Sequence, residues 1–236
     1  LDLPARRHRE LLDDLEALGQ LLGGDALLLQ VGHHLVERQG VSRIGRDGAV
    51  QKWVSEGIEG PVGIATASEG DLIVANCGSG SLQRVTPEGA SSRFVQDSLL
   101  QCPNGITVDD EGVFYVANFR NGDVIRVTPD GDVSRLATLP GGNNGHLVHH
   151  EGRLYVVARG AHQLYTVTLD GEVELLAGTG EQGLADGPAL EATFSYPNDI
   201  GVSPDGRWLY VNDVADLSSE GTLLAPMVVR RIRIGG

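Results

Sequence analysis

Pro103-Asn104-Gly105-Ile106, then Glu111-Gly112, then Val113-Phe114-Tyr115-Val116, reads as a short strand, a tight turn and an apolar strand, and its recurrence decides the fold. Related phrases start at Pro61-Val62-Gly63-Ile64, at Asn144-Gly145-His146-Leu147 and at Pro197-Asn198-Asp199-Ile200. Their second positions, 62, 104, 144 and 198, lie 42, 40 and 54 residues apart. After each start comes an acidic residue with glycine, at Glu69-Gly70, Glu151-Gly152 and Asp205-Gly206, and then a second apolar strand. Such pairs make hairpins, because glycine takes the positive φ that the turn requires and Asp or Glu tolerates its neighbourhood. A third strand, Leu82-Gln83-Arg84-Val85 or Val124-Ile125-Arg126-Val127, runs into Pro87-Glu88-Gly89 or Pro129-Asp130-Gly131. A fourth strand, such as 133–137, closes the unit. Four antiparallel strands in roughly 40 residues match a propeller blade, a sheet that cannot cover both faces alone and therefore stacks on its neighbours.

The reading is all-β: a β-propeller of four-stranded blades, five or six of them, with a short N-terminal helix. The blades are drawn at 61–102, 103–142, 143–196 and 197–236, after a partial unit with strands at 26–31, 40–44 and 49–54. That unit lacks a first strand and the last blade lacks a fourth, as expected where strands from both termini close a ring. Leu11, Leu12, Leu15, Leu18, Leu21 and Leu22 fall at helical spacing. Residues 1–25 are accordingly expected to form a helical segment, covering a face, a partner or a second copy in a homo-oligomer, and 26–236 the propeller.

Thirty-three glycines among 236 residues fit many turns, and a formal net charge of −14 would repel a phosphate backbone or an anionic leaflet. Nucleic-acid and membrane-surface partners are thereby set aside. No apolar run approaches the ~20 residues of a spanning helix, so the chain reads as soluble. A cytoplasmic location is preferred to a secreted or periplasmic one, which the sequence leaves open. Cys77 and Cys102 are too few for a disulfide scaffold; one bridge between them is left open, and otherwise both are structural.

Ala177-Gly178-Thr179-Gly180, continuing through Gly183, Asp186-Gly187-Pro188, Ala192, Phe194 and Pro197, resembles the linker and blade start of NHL-repeat propellers. Pro197-Asn198-Asp199-Ile200, leading to Asp205-Gly206 and Leu209-Tyr210-Val211-Asn212-Asp213, also resembles the SMP-30/gluconolactonase group. That second resemblance implies one divalent cation in a central channel, held here by Asn104, Asn198 and Asp213. Glu59-Gly60-Pro61 matches the letters of the group's N-terminal glutamate ligand, but stands in the second visible unit rather than the first.

In an antiparallel hairpin the start of the first strand and the end of the second share one face, so the polar residues there should meet. The first-strand set is Val62, Asn104, Asn144 and Asn198; the second-strand set is Asn76, Asn118, Arg159 and Asn212, with Asp213 beside the last. Oxygen ligands of this kind suit Ca²⁺, with zinc or another transition metal as the alternative if histidines turn inward. The competing reading is that these asparagines cap their own turns. Two departures stand out. Asp199 replaces a glycine, and His146 takes the place of Ile64, Ile106 and Ile200. A histidine in an apolar place costs free energy unless it is bonded or used, so His146 and Asp199 are the expected catalytic residues, either of which could move the proton. Arg159, Asn144 and Asn118 are the expected substrate-binding residues.

The function read from these residues is a metal-assisted enzyme acting on a small molecule at the channel mouth, with lactone or ester hydrolysis foremost. The alternatives are a lyase or cyclase of small-molecule metabolism, and a non-catalytic propeller that binds a protein or peptide.

Overall fold

The computed structural model describes residues 27–30, 40–45, 47–67, 70–215 and 227–235. The expected N-terminal helix at 1–25 lies outside them. The described chain forms eighteen strands in five antiparallel sheets. The first holds β1 (Leu27–Gln30), β2 (Val41–Ile44) and β3 (Val50–Val54). The second holds β4 (Pro61–Thr66), β5 (Leu72–Asn76), β6 (Ser81–Val85) and β7 (Ser91–Gln96). The third holds β8 (Pro103–Val108), β9 (Phe114–Asn118), β10 (Asp123–Val127) and β11 (Val133–Thr138). The fourth holds β12 (Leu147–His150), β13 (Arg153–Ala158), β14 (Gln163–Thr168) and β15 (Val173–Ala177). The fifth holds β16 (Ile200–Val202), β17 (Trp208–Val214) and β18 (Met227–Arg233).

Strand register identifies what the first sheet lacks. Where a third strand meets a fourth, the pairing slips after the second residue, between Leu82 and Gln83, Val124 and Ile125, and Leu164 and Tyr165. The pairing of β2 with β3 slips in the same way between Val41 and Ser42. The three described strands of the first sheet are therefore a second, third and fourth, while β16, β17 and β18 are a first, second and third.

The second strands are not half-buried as alternation would suggest: all five residues of β5 and all five of β9 are buried. The alternation instead divides each strand between two neighbours. Phe114 and Val116 pack with Ile73, Ala75 and Leu82 of the second sheet, whereas Tyr115 and Ala117 pack with Leu154, Val156 and Val167 of the fourth. Val157, Leu164, Phe194, Leu209 and Val211 fill the next boundary. Among the described residues there is thus no single core but one at each of the four boundaries between successive sheets, with each fully buried Leu, Ile or Val contributing about 1.5–3 kcal/mol. Among the described residues no helix is long and apolar enough to cross a membrane.

Candidate active site between the fourth and fifth sheets

Inner strands approach so closely that one position in each blade start is constrained. A Cβ on Gly63 would lie 2.2 Å from the carbonyl oxygen of Asn104, and one on Gly105 would lie 2.5 Å from the Cα of His146. Side chains are excluded there. In the fourth sheet the order is reversed. Ile64 pairs with Val74, Ile106 with Val116, Leu147 with Val156 and Ile200 with Val211. Leu147, not His146, therefore takes the isoleucine place, which corrects the sequence alignment by one residue. His146 stands in the slot of Gly63 and Gly105. The close-approach glycine has moved one residue earlier, to Gly145, whose Cβ would lie 2.3 Å from the carbonyl of Asn198.

Asp199 occupies the same slot in the fifth sheet, so the two departures from the repeat face each other. His146 Nδ1 lies 3.5 Å from Asp199 Oδ1. The Asp199 side chain is 62% exposed and that of His146 22%. The dyad is half open to solvent. Its backbone is fixed: His146 N–H donates to the Asn198 carbonyl at 2.7 Å, and Asn212 Oδ1 accepts the N–H groups of Asn198 and Asp199 at 3.2 and 2.7 Å.

The same boundary between the fourth and fifth sheets holds a second cluster, which the sequence did not assemble. Arg159 donates from Nη1 to the Tyr196 carbonyl at 3.0 Å and lies over the Tyr196 ring at 4.9 Å. His162 stacks edge-on against Tyr196 at 4.6 Å, and its Nδ1 accepts the Tyr196 N–H at 3.3 Å. Tyr196 has φ 53°, at the blade-start position where Gly60, Cys102 and Asn143 have φ 59°, 55° and 50°. His162 has φ 54° in the hairpin position of Gly80 and Gly122. The four described blade starts share this left-handed backbone, which costs a residue other than glycine or asparagine ~1–2 kcal/mol. Two such residues in contact at a mouth mark a place where the side chain outweighs the strain. The sequence signal was present: a bulky residue in a glycine's place.

Asn118 and Asp213, also expected at the site, hold loops. Asp213, not Asn212, aligns with Asn76 and Asn118. Asn76 and Asn118 each accept one loop N–H, from Glu59 and Gln101, and donate to one loop carbonyl, of Gly57 and Leu99. Asp213 accepts the equivalent N–H of Ser195 at 2.8 Å but cannot donate, so Arg230 supplies Nη1 to both Asp213 Oδ2 and the Thr193 carbonyl. Burial pushes the Asp213 carboxyl above its ordinary range, against the pull of Ser195 N–H and Arg230. Asn118 and Asp213, of which substrate and metal roles were expected, are thus two instances of one repeated loop clasp.

Asn104 is buried and donates from Nδ2 to the Asn144 carbonyl at 3.0 Å, tying one inner strand to the next. Asn144 is fully buried, donates to the Asp123 carbonyl, and among the described residues its Oδ1 has no hydrogen-bond partner. Asn144 was expected to bind substrate and Asn104 a cation; both side chains are buried between inner strands. Among the described residues no three His, Cys, Asp or Glu side chains converge as a metal cluster. With Asp213 held by a guanidinium, the set Asn104, Asn198 and Asp213 does not fit a divalent cation.

Cys77 and Cys102 are bonded, joining the end of β5 to the start of β8 across the second and third sheets. The pair corresponds by register to Arg159 and Tyr196 at the fourth boundary.

No family model and no curated protein matches the sequence. Among solved structures the chain is similar to virginiamycin B lyase from Staphylococcus aureus, at 17% identity over 72% of this chain and 55% of that one, with a TM-score of 0.58. It is similar to an auxiliary nutrient binding protein from Bacteroides thetaiotaomicron, at 16% identity over 81% and 54%, with a TM-score of 0.69. Hydrazine synthase from Kuenenia stuttgartiensis gives 17% identity over 80% and 53%, with a TM-score of 0.57. The chain spans little more than half the length of each, and at such identity the likeness is one of fold. The protein is a β-propeller.

Proposed function

We propose that the mouth between the fourth and fifth sheets is the active site of an enzyme that cleaves an ester or lactone bond in a small molecule by proton transfer. His146 is the base and Asp199 orients its ring. The observation that carries this reading is the 3.5 Å approach of His146 Nδ1 to Asp199 Oδ1 in a slot where two preceding blades have glycine. A carboxylate at Nδ1 keeps the proton on that nitrogen and leaves Nε2 as acceptor. Contacts of this kind lengthen without substrate and tighten with it. In hydrolysis Nε2 takes a proton from attacking water; in elimination it takes one from the carbon next to the breaking C–O bond. In both the alkoxide or carboxylate leaves, and the imidazolium returns its proton to product or solvent. A catalytically inactive virginiamycin B lyase solved with quinupristin carries a histidine-to-alanine substitution, which accords with a histidine-dependent reaction on this fold.

The test is a panel of cyclic esters followed by mass spectrometry, where a product heavier by one water means hydrolysis and one of unchanged mass means elimination. His146→Ala and Asp199→Asn should each lower turnover by about 10²-fold or more, with unchanged melting. A parallel arm with chelator tests the cation expected from the sequence. Turnover equal to wild type in His146→Ala would overturn the reading, and saturable binding without turnover would make the mouth a binding site.

A further inference from the structure

We propose that the boundary between the second and third sheets carries a second ligand site, for a small polar molecule bearing a carboxylate, held by Arg120 and formed while the Cys77–Cys102 bond is closed. A cleft of about 460 Å³ opens there, at the register positions that Arg159 and Tyr196 take at the fourth boundary, within the roughly 300–1,000 Å³ of small-molecule pockets. Its walls come from the β5–β6 hairpin, the 96–102 linker and Arg120 after β9.

The cleft exists because of what the repeat leaves out. Gly80 stands in the position of His162, so no ring packs here as His162 packs against Tyr196 at the fourth boundary, and the Leu100 carbonyl comes within 2.6 Å of where a Cβ on Gly80 would lie. Cys77 and Cys102 stand in the positions of Arg159 and Tyr196, so a covalent bond replaces their cation–π contact as the tie between sheets. Cys102 is held at φ 55°, where Gly60 sits unstrained, and its bond is what requires a cysteine there.

The lining decides the ligand class. Apart from buried Leu100, the walls are glycine, serine, glutamine, the disulfide, Asp97 and Arg120. An apolar molecule would gain little from such walls. Asp97 turns to its own loop, with Oδ1 accepting the Leu99 N–H at 2.8 Å. Arg120 is exposed; its backbone N–H donates to the Gln101 carbonyl at 3.3 Å, but among the described residues its side chain makes no hydrogen bond or ion pair, while the repeat has Gly78 at its position. A guanidinium with open donors beside serine and glutamine suits a carboxylate with neighbouring hydroxyls.

The experiment is titration of D-glucuronate into the full, oxidised chain, followed by calorimetry and by amide shifts in NMR, with uncharged glucose as control. Glucuronate should bind with shifts around 77–80 and 96–102, and glucose should not. Arg120→Ala should weaken binding at least about tenfold, as loss of a charged hydrogen bond does. Cys77→Ser with Cys102→Gly, which suits the left-handed backbone, should also weaken it. His146→Ala should leave it unchanged, which separates this site from the proposed active site. No saturable shift at roughly ten millimolar glucuronate, unchanged affinity in Arg120→Ala, or loss in His146→Ala alone overturns the proposal.

Discussion

The guanidinium of Arg230 stands between Asp213 Oδ2 and the Thr193 carbonyl, filling the place that the side-chain amino group of Asn118 fills against Leu99. A carboxylate can accept the loop N–H but has no hydrogen for the loop carbonyl. Arg230 also reaches the Ala185 carbonyl, Asp186 and the Phe194 ring, so one side chain fastens the long linker that stretches the last interval to 54 residues.

Arg230→Ala should therefore cost about 3 kcal/mol, since it strands a buried carboxylate. Asp213→Asn should be far less costly in that background than in wild type, because asparagine restores the clasp of the second and third sheets. Urea unfolding of the two single variants and the double variant measures the coupling; additive effects would refute the shared role.

Gly145→Ala should destabilise by about 2–3 kcal/mol, the scale of overpacking, because its Cβ would meet the Asn198 carbonyl at 2.3 Å. His146→Gly should shift stability by no more than about 1 kcal/mol, since glycine is native to that slot in the two preceding blades. Thermal melts of both variants decide it.

Tyr196→Gly should leave stability within about 1 kcal/mol of wild type, because the relief at φ 53° offsets the lost ring contacts. If the ring serves substrate, turnover falls sharply in Tyr196→Gly and is kept in Tyr196→Phe. Equal turnover in all three would show the cluster to be structural.

Burial, and Asp109 Oδ2 at 2.9 Å from its hydroxyl, push Tyr115 from 10.0 up to about 12. The folded state keeps this proton after the unfolded chain has released it, so stability falls as pH rises from about 10 to about 12 and is unaffected below. Tyr155 and Tyr165, also raised by burial, act in the same direction. Tyr115→Phe should make the urea midpoint less steep in pH across that window; an unchanged slope would count against the assignment.

The repeated glycines were enough to read the architecture. Gly89, Gly131 and Gly171 close turns of the same form at φ 91°, 91° and 92°, and a backbone conformation that one residue type adopts freely is visible in letters alone. His146 and Asp199 stood out in the letters as departures from the other blade starts, and the fold brings their side chains within 3.5 Å.

The alignment between units and the use of each polar side chain belonged to the tertiary structure. Letters placed His146 with the isoleucines and Asn212 with Asn118; the hydrogen-bond ladder places Leu147 and Asp213 there instead. A one-residue slip in a strand sends a side chain to the opposite face, and sequence similarity does not resolve a slip that a single moved glycine can absorb. The same is true of Cys77 and Cys102, whose pairing depended on two sheets meeting. The sequence by itself determined which conformations the backbone had to take, because turn and strand preferences are local. Which side chains met across sheet boundaries, and were thereby spent on structure or left for chemistry, was decided only by how the blades stack.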